Sequence, residues 1–243
     1  MTDRERDHEF SEGQGFSEPY DEFDLDPPEL GVDPSKVDPV DSRVLTDLLD
    51  RENVDADAVD ANELVDVGLN YMNINRHEQA ADTFERAARF ASEDPVKQEA
   101  WVNKGVAHAE MEEWDQAIGA YQEALKIDED GDHAADAHTN MAYALWESGD
   151  VSLALEHAER AVEIDPRFPQ AWYNRGFFLQ ERGLSEEAVN AFDNAVRLGM
   201  RTPDLLEEKA RALEELGRDE EAEKLADEAE ELRKRAEEEM IQE

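Results

Sequence analysis

The sequence predicts an all-α protein, an α-solenoid of about five helix-turn-helix repeats that follows a disordered acidic N-terminal tail. Two observations predict the solenoid. Small residues recur at a nearly constant spacing through residues 61–236, and the apolar residues between them follow the helical spacing i, i+4, i+7. A third observation predicts the tail, since five of the nine prolines fall within the first 40 residues and leave no room for regular structure.

Residues 1–40 are expected to be disordered because they combine prolines, glycines and acids with few residues to bury. Aromatic and leucine side chains recur among the acids, namely Phe10, Phe16, Tyr20, Phe23, Leu25 and Leu30. Their spacing suits a short motif that folds on a partner, and a tail that only solubilises the chain is the alternative. Residues 41–60 carry a short amphipathic run around Leu45 and Leu49, which predicts a capping helix and an acidic linker.

Three series of small residues keep the same register through five units. The steps of the first series are 37, 37, 34 and 34 residues. The series are Gly68, Gly105, Ala142, Gly176 and Ala210; Ala80, Ala117, Ala154, Ala188 and Ala222; and Ala87, Ala124, Ala161, Ala195 and Ala229. The predicted repeats are residues 61–94, 98–131, 135–168, 169–202 and 203–236, and residues 237–243 form a charged C-terminal end.

Each unit is predicted to hold two helices that cross closely at the glycine or alanine of the first series. The aromatic residues Phe84, Tyr121 and Phe192 are expected to fill the space beside that crossing. Glycines 149, 183 and 217 occupy equivalent turns between the helices. Thr202 before Pro203 and Asp94 before Pro95 predict capping side chains at two helix starts.

The fourth unit resembles the tetratricopeptide repeat (TPR). Its Trp172-x-x-Arg175-Gly176-x-x-Leu179 and Ala188-x-x-x-Phe192 are similar to the family patterns W-x₂-L-G-x₂-Y and A-x₃-F. His138 and His108 stand where the family has tryptophan and tyrosine, which weakens individual repeats but not the period. The resemblance implies a right-handed superhelix that binds other proteins in a concave groove lined by the first helix of each repeat.

The composition is strongly acidic, with 65 Asp and Glu against 24 Lys and Arg and a formal net charge of −41. Such a field repels phosphate backbones and anionic lipids, so partners among nucleic acids and membranes are disfavoured. The acid-rich, lysine-poor balance resembles proteins of salt-accumulating halophilic archaea, and an ordinary acidic protein is the alternative. The chain has no cysteine, no long apolar stretch and a charged start, which together predict a cytoplasmic location.

No residue pattern predicts an enzyme, a cofactor or a metal. His133 and His138 would lie about 140° apart around a helix and therefore would not converge on an ion. The acidic run at residues 128–132 superficially resembles a calcium loop, but the first and twelfth ligand positions would be Lys126 and Ala137. Phosphate-binding glycine loops and a base partner for any serine are also missing.

The groove is predicted about 100° around each first helix from the glycine series. Asn103, Asn140 and Asn174 form a ladder of amides that are expected to face solvent and to hold a peptide backbone. The remaining predicted groove residues are Val65, Leu69, Val102, Val106, Tyr143, Trp146, Tyr173, Phe177 and Gln180. They are expected to accept large apolar side chains, with packing between units as the alternative role of some aromatics.

The predicted function is that of a non-catalytic scaffold or adaptor that binds an extended peptide segment of another protein in its concave groove. The chain is expected to be a monomer or a weak oligomer. In the alternative, the acidic aromatic tail occupies the groove and a partner displaces it. A known TPR subclass grips the terminal carboxylate of chaperones through a basic clamp. Val65 and Leu69 stand at the first-repeat positions of that clamp, so binding of this kind is not expected.

Overall fold

The structure is a computed structural model that describes residues 60–242, with side chains described to residue 238. The predicted tail and, apart from Asp60, the predicted capping segment lie outside the described residues. The described part contains ten helices. They are α1 (Ala61–Asn73), α2 (His77–Phe90), α3 (Asp94–Ala109), α4 (Trp114–Ile127), α5 (Ala134–Glu147), α6 (Val151–Ile164), α7 (Pro169–Glu181), α8 (Ser185–Arg197), α9 (Pro203–Glu215) and α10 (Asp219–Gln242).

Each helix packs against the next along the chain, so the ten helices form five pairs. The first helices of successive pairs also contact one another, from α1 to α3, α5, α7 and α9. Short turns between partners make each pair antiparallel. The predicted α-solenoid is therefore confirmed, and its first helices lie side by side along one face. Between residues 60 and 242, no helix is both long enough and apolar enough to cross a membrane.

The two helices of a pair cross at glycine, as predicted. A methyl group at the glycine would lie 2.3–2.7 Å from the nearest ring carbon of the partner helix, which is closer than carbon atoms can approach. The facing residues are Gly68 with Phe84, Gly105 with Tyr121 and Gly176 with Phe192. In the third unit alanines, Ala142 and Ala158, occupy both positions and are fully buried. Close packing at the crossing is thus reached either by a glycine facing an aromatic ring or by two alanines.

Equivalent turns join the helices within each pair. Gly149, Gly183 and Gly217 have φ of +94°, +72° and +70° there, a region that glycine enters without steric cost. In the first two units the same turn position is held by Asn75 and Glu112, with φ of +56° and +59°. A glutamate in this conformation is strained by roughly 1 kcal/mol relative to glycine.

The two predicted helix caps have different outcomes. The hydroxyl oxygen of Thr202 accepts a hydrogen bond from the Leu205 backbone N–H at 3.3 Å, as predicted. The predicted cap at Asp94 is wrong, because Asp94 is itself the first residue of α3 and follows Glu93, which makes no capping hydrogen bond. Pro95 stands at the second helical position. A backbone N–H there would have no partner within the helix, so its absence in proline costs nothing.

Candidate functional site

A cleft of about 600 Å³ opens between the first helices of the second, third and fourth pairs. Its wall comes from the end of α3, the following turn, α4, α5 and the start of α7. The lining residues are Val106, Ala109, Glu110, Glu112, Trp114, Tyr121, Asn140, Tyr143, Glu147, Gln170 and Asn174. Four predicted groove residues are among them: Val106, Asn140, Tyr143 and Asn174. The cleft has the size of a site for a large side chain or a small ligand.

Two aromatic rings form one side of the cleft. The rings of Trp114 and Tyr143 meet edge to face, with centroids 6.0 Å apart and an interplanar angle of 78°. Tyr143 is 44% exposed, and its hydroxyl donates to Glu147 Oε1 at 2.8 Å. This hydrogen bond raises the pKa of Tyr143, with burial and the nearby charges of Glu110 and Glu112 acting in the same direction. The tyrosine hydroxyl therefore stays protonated, as a donor.

The amides of the predicted asparagine ladder have unequal surroundings. Asn174 is only 7% exposed, and its Nδ2 donates to the backbone carbonyl of Thr139 at 3.1 Å. Its Oδ1 accepts from Gln170 Nε2 at 3.0 Å. The expectation that all three amides face solvent is therefore wrong for Asn174, because α5 brings a carbonyl within its reach. Asn140 is half-buried in the cleft wall, whereas Asn103 is half-buried outside it.

Three of the predicted groove aromatics pack between helices. Trp146 and Phe177 meet edge to face, with ring centroids 5.0 Å apart, and join α5 to α7. Tyr173 lies 6.0 Å from the ring of Phe192. Burial, with the nearby charge of Glu208, raises the pKa of Tyr173 to about 12. All three are half-buried. The contact of Trp146 with Phe177 stabilises the packing of successive pairs, whereas Tyr173 packs within its own pair.

The other predicted groove residues lie outside the cleft. Val65 and Val102 are buried, with 4% and 5% exposed, and belong to the core. Leu69 on α1 is 39% exposed. Gln180 is buried. In the amide orientation that pairs both its nitrogen and its oxygen, the nitrogen donates to the Glu208 carbonyl at 3.1 Å and the oxygen accepts from Arg211 Nε. Its role is to join α7 to α9.

Sequence reasoning missed several residues that line the cleft. Trp114 begins α4, a second helix, and Glu110 and Glu112 stand in the turn before it. A stripe drawn along the first helices cannot include them. One signal was available, since Glu112 stands where Gly149, Gly183 and Gly217 mark equivalent turns. A strained residue in place of glycine is often retained for its side chain.

The cleft is electrostatically negative. Glu110, Glu112 and Glu147 are exposed, and none of the three forms an ion pair within the described part of the chain. Of the described lining residues, none is a lysine or an arginine. The adjacent Glu113 differs, because its Oε2 lies 2.7 Å from His108 Nδ1. Three carboxylates thus face the same opening with no positive charge among the lining residues.

A second cleft, of about 500 Å³, contains a pair of histidines that the sequence did not bring together. His138 Nδ1 lies 2.7 Å from His157 Nδ1, so one ring must donate and the other accept. Burial, and secondarily the proximity of His157 and Arg160, lowers the pKa of His138 to about 4. His133, considered with His138 as a metal pair, stands at the N-cap of α5. Within the described residues, no group of three or more His, Asp or Glu is placed to hold a metal.

The fold defines a helical repeat protein, with a cleft at its second, third and fourth helix pairs. Three tetratricopeptide-repeat family models match residues 97–167, 157–190 and 179–237, which together span more than half of the chain. The chain belongs to the tetratricopeptide-repeat family.

Similar proteins with established names match parts of the chain. Photosystem I assembly protein Ycf3 of Acaryochloris marina is 35% identical over 74 residues, 30% of this chain and 45% of that protein. Its counterpart in Synechococcus elongatus is 34% identical over 92 residues, 37% of this chain and 52% of that protein. The chain thus spans about half the length of these curated relatives.

Solved structures of low sequence identity share the fold. MamA of Desulfovibrio magneticus has a TM-score of 0.59 and 18% identity, covering 72% of this chain and 95% of that one. YrrB, described as a TPR protein with an unusual peptide-binding site, has a TM-score of 0.55 and 20% identity, covering 71% of this chain and 86% of that one. At this identity the likeness concerns the fold alone.

Proposed function

We propose that this protein is a non-catalytic adaptor that binds an extended peptide segment of another protein along its first helices. One observation carries the proposal: a cleft of about 600 Å³ whose wall combines a half-buried amide, Asn140, with the exposed ring of Tyr143. An asparagine amide offers a donor and an acceptor together, as a peptide backbone requires. An aromatic ring offers area for a side chain at little cost in conformational entropy.

The structure changes which parts of the predicted groove enter this proposal. The amide of Asn174 is already engaged with Thr139 and Gln170, so it is not free to hold a ligand backbone. Asn140 is the member of the ladder that lines the cleft without a hydrogen bond to another described residue. We therefore assign backbone recognition mainly to Asn140, and side-chain contact to Tyr143 and Trp114.

The acidic tail is a poor occupant of this cleft. Residues 1–40 contain 13 acidic and three basic residues, and the cleft exposes three carboxylates of the same sign. Like charges brought together at an interface oppose binding. The proposed ligand is therefore a segment of a separate protein. We further propose that the protein works in an intracellular setting of high salt concentration, which screens the repulsion among its surface carboxylates.

The test is peptide selection followed by a matched pair of variants. A random nonapeptide library is selected on the immobilised chain, and the enriched peptide is labelled for fluorescence anisotropy. Asn140→Ala should weaken its binding by about 1–2 kcal/mol, from one lost hydrogen bond and the group left unpaired on the peptide. Asn190→Ala removes an exposed asparagine from α8, a second helix, and should leave the affinity unchanged.

Two results would contradict the proposal. Equal affinity of wild type and Asn140→Ala would place recognition outside the cleft. A larger loss with Asn190→Ala would place it on the second helices. Circular dichroism of both variants checks that a loss of binding is not a loss of structure.

A further inference from the structure

The residues that line the cleft indicate which side chain the bound segment carries, in addition to its extended backbone. Among the described residues, three glutamates, three aromatic residues and no basic side chain line one opening. We infer that the cleft accepts a basic side chain of the bound segment, arginine in particular. This inference rests on the proposed peptide-binding function and names the chemistry that the ligand must carry.

The aromatic side of the cleft fits a planar cation. The ring of Tyr143 contacts Trp114 at a centroid distance of 6.0 Å and Trp146 at 5.9 Å. It nevertheless stays 44% exposed, so part of its surface is accessible to a ligand. A guanidinium group stacks on aromatic faces and is more weakly hydrated than an ammonium group. A cation held above a ring is attracted by the electrons of the ring face. Arginine thus suits this wall better than a purely apolar side chain.

The carboxylates complete the complementarity. Elsewhere on the surface, arginines of the chain already pair with acids, as Arg160 does with Asp130 at 2.7 Å. Glu110, Glu112 and Glu147 face the cleft without such a partner in the described part of the chain. A guanidinium presents five N–H donors and can bond two carboxylates at once. An incoming arginine would supply the positive charge that the cleft lacks.

The backbone of Glu112 supports this assignment. Its φ of +59° is the conformation that glycine holds at three equivalent turns, so glutamate is a costly choice there. Glu112 is exposed, and its side chain forms no ion pair within the described part of the chain that would explain the choice. A carboxylate presented to a ligand explains it. Replacement by glycine should therefore stabilise the fold and weaken recognition of a basic side chain.

The test uses four synthetic nonapeptide libraries that differ only at the central position. That position is arginine, citrulline, leucine or glutamate, and all other positions are random. Citrulline has the shape of arginine without the charge. Retention of each fluorescent library on the immobilised full chain is measured at about 0.15 M and about 1 M salt, where charges beyond contact distance are screened. The arginine library should be retained about tenfold more than the citrulline library, equivalent to about 1.4 kcal/mol.

Two triple variants remove the same number of charges from different places. E110Q/E112Q/E147Q neutralises the cleft and should bring the arginine-to-citrulline ratio close to one. E214Q/E220Q/E223Q neutralises three exposed glutamates at the end of α9 and the start of α10, and should keep the ratio. Glu112→Gly should lower the ratio and raise the melting temperature.

Each other outcome has a definite meaning. Equal retention of the arginine and citrulline libraries by the wild type would overturn the inference. An equal fall of the arginine-to-citrulline ratio in both triple variants would overturn it too. The negative charge of the whole protein, and not the cleft, would then attract the cation. If the leucine library is retained as strongly as the arginine library and Asn140→Ala weakens both, the basic preference is refuted and the proposed peptide groove still stands. Retention of no library would refute both.

Discussion

Substitution of the helix-crossing glycine is the sharpest test of the packing that positions the cleft. A Cβ added at Gly105 would lie 2.3 Å from Cε1 of Tyr121, whose ring is only 1% exposed and has no room to move. Overpacking of this kind costs about 1–3 kcal/mol. Alanine in a helix gains about 0.5–1 kcal/mol over glycine. Gly105→Ala should therefore destabilise the chain by about 1 kcal/mol net, within a range of about 0–2.5 kcal/mol.

Gly119 provides the matched control. It lies within α4, and a Cβ added there would meet no atom within 4 Å. Gly119→Ala should thus show only the helical gain and stabilise the chain by about 0.5–1 kcal/mol. Urea unfolding of both variants, followed by far-UV circular dichroism at one salt concentration, measures the two effects. If both substitutions shift the midpoint in the same direction, the close helix crossing is not what the glycine provides.

Two further predictions concern solution conditions. The folded chain lowers the pKa of His138 from 6.5 to about 4, so the unfolded chain binds more protons between these values. The stability that neutral His138 contributes is complete above about pH 6.5 and is lost as the pH falls toward 4. The melting-temperature difference between wild type and His138→Gln should therefore shrink on acidification, and a constant difference would contradict this. Stability should also rise from about 0.1 to about 3 M KCl, because salt screens repulsion among 65 acidic residues. A melting temperature that stays flat or falls would end the halophilic interpretation.

The sequence by itself determined the periodic part of this protein. The five helix pairs, the glycine crossings at Gly68, Gly105 and Gly176 and the turn glycines follow from local rules, since helix periodicity and backbone sterics act within a few residues. The same rules place Phe84, Tyr121 and Phe192 beside the crossings. Such features recur in every unit, so each one is supported by several copies.

The tertiary structure decided which side chains meet, both within a pair and between pairs. It placed Trp114 and Glu112 in the cleft from outside the first-helix stripe, and it joined His138 to His157 across α5 and α6. It also engaged Asn174 with the Thr139 carbonyl while leaving Asn140 in the cleft wall. Equivalent positions therefore differ in their surroundings, although they share one place in the repeat. The physical reason is that these contacts depend on the rotation and spacing of helices packed against one another, within a pair and between successive pairs. That geometry is set by the combined packing of many side chains and has no local signal.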